Sequence, residues 1–118
     1  VNRRPTPLSQ GQIEDDILSV SDALEAGTEQ FADVADLAAT CEADYKLSYA
    51  RAFVALASTQ SKMTAPERQA RSELHAAAEL RAWKIAEARR MSSKESLLSL
   101  RARLDALRTV SANIRSQT

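Results

Sequence analysis

Five cations and two aromatic rings fall within one stretch of this 118-residue chain: Lys46, Arg51, Lys62, Arg68 and Arg71, with Tyr49 and Phe53 among them. Basic side chains neutralise phosphates and aromatic faces stack on bases, so a basic-aromatic segment carries the ingredients for binding single-stranded nucleic acid. From Lys46 to Arg71 only Glu67 opposes these cations. The same rings have a competing use as core. Tyr45 and Phe53 lie on or beside an apolar track, where half-buried aromatics normally pack inside the protein.

Other chemistry is poorly provided for. His75 is the only histidine and Cys41 the only cysteine, too few for a serine triad, a zinc site or an internal disulfide. Cys41 reads as a small buried hydrophobe. Glu14, Asp15 and Asp16 resemble a cation cluster, but their place in the early turns of a helix is where the dipole favours negative charge. No Gly-rich phosphate loop occurs, and Trp83-Lys84 reads as a packed ring beside a solvated lysine. The expectation is a non-enzyme with no cofactor and no metal. No apolar run approaches the ~18 residues of a membrane span, and Val1 to Leu8 has no apolar region behind its two arginines. A cytoplasmic protein is therefore expected.

The elements that must position these residues are helical. Only two Gly and three Pro occur, and Ala, Leu, Glu and Arg dominate. Ser9 with Gln12 forms a capping box, and Leu8 can close as a staple on Ile13. From there apolar residues step by four and three along Ile13, Ile17, Val20, Leu24, Gly27, Phe31, Val34, Ala38, Cys41, Tyr45, Ser48 and Ala52. None of these positions is charged, the heptad pattern of a helix packed along its length. Gly27 weakens the helix by about 1 kcal/mol relative to Ala; the phase continues across it, with a break at Gly27-Thr28 as the alternative. The polar run Ser58 to Met63 reads as a turn. Thr64 and Glu67 form a second capping box, with Pro66 in the first turn. The second seam is clear late, at Leu97, Leu100, Leu104, Leu107, Ser111 and Ile114. Early it is looser, through Leu74, Ala77, Leu80, Trp83 and Ile85, and Ser92-Ser93-Lys94 marks a candidate bend.

The expected fold is all-α: an arm over 1–8, then one domain over 9–118. In it helix one (about 9–57), a turn (58–63) and helix two (about 64–116) make a long antiparallel hairpin of coiled-coil-like helices. A two-helix hairpin has no third wall, so a homo-oligomer is expected. The charges are segregated. Ten acidic residues and no Lys or Arg lie between Pro5 and Tyr45, whereas fourteen basic and six acidic residues follow from Lys46 onward. One reading pairs these blocks inside the hairpin, with Arg89, Arg90, Arg101, Arg103, Arg108 and Arg115 flanking the seam. The other leaves the turn end positive for a ligand.

Three stretches carry a resemblance. Glu42 to Phe53 (Glu-Ala-Asp-Tyr-Lys-Leu-Ser-Tyr-Ala-Arg-Ala-Phe), Trp83 to Arg89, and the tail from Leu97 to Arg115 look like parts of small helical proteins of actinobacterial phages. Some of those resemble the UvsY-type recombination mediators. That resemblance implies helical rings that bind single-stranded DNA and help load a recombinase, working with other replication proteins in the bacterial host's cytoplasm. Lys46 and Arg51 are the nearest matches to the family's DNA-contacting Lys and Arg, at wider spacing, and the acidic first helix departs from the family. The leading expectation is thus a mediator-like, single-stranded DNA-binding accessory protein. Its rival is a structural or assembly protein, a virion component or scaffold with no nucleic-acid contact.

Overall fold

The computed structural model describes residues 9–59 and 62–117, and every element in them is α-helical: α1 (Gln10–Thr59), α2 (Ala65–His75) and α3 (Ala77–Ser116). The expected all-α class is what the chain adopts. The arm over 1–8, with Leu8 of the staple, and Gln60 and Ser61 of the turn lie outside the described residues.

α1 begins where its caps put it. Gln12 N–H donates to Ser9 Oγ at 3.2 Å while Ser9 N–H donates to Gln12 Oε1 at 2.9 Å, so two otherwise orphaned donors are satisfied reciprocally. The helix runs unbroken through Gly27-Thr28. The glycine has a packing reason: a Cβ there would meet Leu97 Cδ2 at 2.9 Å. α1 also runs past the expected end, through Ser58 and Thr59. Their hydroxyls donate back to Ala55 O at 3.0 and 2.8 Å, which lets polar residues close the last turn that composition assigned to a loop.

α2 opens on Thr64, whose Oγ1 accepts the Glu67 N–H, with Pro66 in the first turn. The single second helix expected from sequence is interrupted at Ala76, where φ is −95° and ψ 13°. Bonding of the α type spans the gap, from Ala76 N to Ser72 O and from Leu80 N to Ala76 O. One turn earlier, the buried Ser72 donates its hydroxyl to Arg68 O at 2.7 Å, a bond that satisfies a polar group on the covered face. At Ser92-Ser93, the candidate break, α3 is continuous.

Every residue of the α1 track is buried or half-buried. On α2 and α3 the four-and-three spacing of the late seam extends back without a slip. It runs through Ser93, Arg90, Ala86, Trp83, Glu79 and Ala76 to Ser72, all buried or half-buried. Leu74 and Ile85, expected on the seam, are instead 77% and 43% exposed, and Ala77 is exposed. Phase rather than apolarity decides which residues are covered.

By contacts the described residues divide into two units, 9–30 with 93–117 and those between 31 and 92. In the first, Ile13, Val20, Leu97 and Leu104 are buried. Gly27 meets Leu97, and Gln10 Nε2 donates to the buried Ser111 Oγ at 3.0 Å. In the second, the buried apolar residues are Ala38, Ala52, Ala76 and Ala86.

Candidate functional site

All seven residues proposed to touch nucleic acid fall in the unit spanning 31–92. Tyr45, Tyr49 and Phe53 succeed one another at four-residue steps on α1, which aligns their rings along one edge of the helix. Trp83 of α3 stacks on Tyr45 with centroids 5.6 Å apart and planes at 23°. Tyr45 and Tyr49 are tilted at 6.2 Å, and Tyr49 stacks on Phe53 at 6.2 Å and 21°. A ladder of four rings, Trp83–Tyr45–Tyr49–Phe53, thus holds four of the chain's five aromatics. A cation caps each end. Lys84 Nζ lies 4.5 Å from the Trp83 ring centroid, and Arg68 Cζ lies 5.4 Å from that of Phe53. Ring pairs of this kind contribute about 0.5–1.5 kcal/mol each beyond area burial, and each cation adds attraction to the ring quadrupole.

These contacts change what the candidate residues can do. The four rings are half-buried and already face one another. Tyr49 and Phe53 therefore stack within the protein. Lys46 Nζ is held at 2.8 Å by Glu42 Oε1 on the same helix, in an exposed i,i+4 pair. Arg68 is half-buried, with its guanidinium over Phe53 and a long 3.5 Å bond from Nη2 to Met63 O; its Nε is buried without an acceptor. Lys62 is exposed at the turn before α2.

Arg51 and Arg71 do come together, joined by a residue that sequence reasoning set aside. A groove of about 410 Å³ is lined by Arg51, Ala52, Ala55, Leu56, Arg71 and His75. A second, of about 380 Å³, continues from Arg51 and His75 past Asp44, Leu47, Ser48 and Glu79. The floor is apolar and the rim mixes two guanidiniums and an imidazole with two carboxylates. That chemistry suits an anionic group bearing an apolar part. Among the described residues no group of three or more His, Cys, Asp or Glu could hold a metal ion. His75 could be found from sequence by its four-residue offset from Arg71. Trp83 as the ladder's end required knowing which helix faces Tyr45.

Of the arginines expected to flank the seam, Arg90 has its partner on its own helix. Arg90 is a half-buried seam residue and pairs with Glu87 on its own helix, Nε to Oε2 at 3.0 Å. That hydrogen bond, with the nearby positive charge of Arg90 and Lys84, holds the Glu87 carboxyl below the usual carboxylate range and raises Arg90.

No described helix is long and apolar enough to cross a membrane. No family model, curated protein or solved structure matches the sequence.

Proposed function

We propose that the chain is a non-enzymatic assembly protein, a long antiparallel helical hairpin that associates with copies of itself through its outward faces, as a scaffold or virion component does. One observation carries this reading: large apolar side chains remain on the outward faces beside the covered seam. Leu18, Leu37, Leu47, Val54, Leu74, Ile85, Met91, Leu98 and Val110 are 40–77% exposed, while half of the eight buried apolar residues are alanines. Exposed leucines scattered singly need no explanation, but nine exposed large apolar groups beside a half-alanine core suit association. The antiparallel pairing is supported by order: Gln10 meets Ser111, and seventeen residues later Gly27 meets Leu97.

A second reading, a mediator-like protein binding single-stranded DNA beside a recombinase in the cytoplasm of a phage-infected bacterium, is favoured by the shared groove of Arg51, Arg71 and His75. It is weakened by the rings being engaged with each other. Light scattering with and without oligonucleotide separates the two. Assembly gives a mass above the 12.9 kDa of one chain with or without oligonucleotide. DNA binding gives a mass that grows with oligonucleotide and reverts in an R51E/R71E variant. A 12.9-kDa monomer at every concentration, indifferent to oligonucleotide, overturns both.

A further inference from the structure

We infer that copies of the chain associate by docking an acidic stripe of α1 on a basic stripe of α3 in a neighbouring copy, an inference that rests on the assembly reading and names its surfaces. Asp15, Asp22 and Glu29 recur every seven residues on α1, Asp36 continues the spacing, and all are exposed. Each lies two residues from a seam position on either side, which at about 100° per residue puts it on the far side of the helix. Within the unit that holds Asp15, Asp22 and Glu29, α3 packs on the seam side, where Leu97 meets Gly27. The acids point away from it, so the expected neutralisation inside one hairpin is not available to them.

On α3, Lys94, Arg101 and Arg108 also recur every seven residues, each one residue past a half-buried seam position, and all are exposed. The ion pairs within the described residues, Lys46–Glu42 and Arg90–Glu87, use none of these six side chains. Each stripe also carries a wet leucine. Leu18, 64% exposed, sits between Asp15 and Asp22 at offsets of three and four; Leu98, 46% exposed, sits between Lys94 and Arg101 at four and three. Neighbours at those offsets share a helix face. Two strips of equal repeat, opposite charge and matching apolar centre are complementary, and a chain of net charge zero offers both to its own copies. Each copy offers both strips, so the contact closes reciprocally as a twofold dimer or propagates head to tail into rings or filaments, according to the angle at which the helices cross.

The test compares D15K/D22K/E29K with K94E/R101E/R108E in the full chain by sedimentation, with helix content checked by circular dichroism. Each variant alone is expected to associate at least about tenfold more weakly than wild type, since like charges then face each other across the contact. An equimolar mixture of the two is expected to regain association, because the reversed stripes complement. Wild-type association should weaken as salt rises from about 0.05 to 0.5 M, where exposed charges are screened, and this measurement decides the matter if a variant loses its helix. Wild-type association indifferent to salt, variants that associate like wild type, or a mixture that stays dissociated would overturn the stripes and leave the assembly reading to another face. A wild type that is monomeric at low salt overturns both. Loss of polyanion binding in the K94E/R101E/R108E variant with self-association intact would assign the basic stripe to nucleic acid instead.

Discussion

Residues 9–30 with 93–117 and residues 31–92 use the same seven-residue spacing but fill it with different chemistry. The first unit buries Ile13, Val20, Leu97 and Leu104; the second buries four alanines, with Ser72 and Ala76 at its helix interruption. An alanine removes little apolar area from water, at about 0.8 kcal/mol per buried CH2 forgone relative to leucine. The second unit compensates at its edge, where four half-buried rings and two capping cations form the ladder. The difference teaches that heptad phase fixes which positions are covered, while the residue at each position fixes how much the covering stabilises.

Substitutions can break that contrast. Leu104→Ala, at a site 7% exposed, should cost the most, about 3 kcal/mol from lost transfer energy and cavity, read as a lower urea midpoint. Trp83→Ala should cost roughly 2 kcal/mol, less than a fully buried ring because Trp83 is half-exposed, whereas Trp83→Phe should retain most of the ladder. An equal effect of Leu104→Ala and Ala86→Gly would erase the distinction between the units. Glu79 sharpens it from the other side. It occupies a seam position with Oε2 buried and unpartnered, so Glu79→Leu should raise stability by about 1 kcal/mol; a lower midpoint would mean the carboxylate serves the adjoining groove. Gly27→Ala should come out near zero, since about 1 kcal/mol of helix propensity is set against the overlap with Leu97. It should become stabilising in a Leu97→Ala background, which a double-mutant cycle reads directly.

The smallest effect is electrostatic. Glu87 is lowered by its hydrogen bond from Arg90, so its contribution is fully present above the ordinary glutamate value of about 4.3 and is lost as pH falls through the lower folded value. Stability of the Glu87→Gln variant should therefore fall less than wild type between those two points. An NMR titration showing Glu87 at or above the ordinary value contradicts the pairing.

Much of the fold was legible because both helices declare themselves in caps and phase. Ser9 with Gln12, and Thr64 with Glu67, sit where their bonds form, and the α1 track is covered along its length. The early second seam is masked in the sequence because Leu74 and Ile85 are apolar and Ser72, Glu79 and Arg90 are not. The phase of Leu97, carried backward by fours and threes, marks the covered set. The interruption at Ala76 carries no Gly or Pro signal in the sequence. Tyr49, Phe53 and Arg68 sat correctly in one basic-aromatic region, but their engagement with one another depends on contacts across elements that spacing does not encode.

The dependence of the urea midpoint on protein concentration tests most directly the claim that copies of the chain associate through their outward faces. Mass action requires a complex to resist unfolding better as it is concentrated. The expected result is a midpoint that climbs with concentration across the micromolar range at low salt, and one that stays fixed would contradict it.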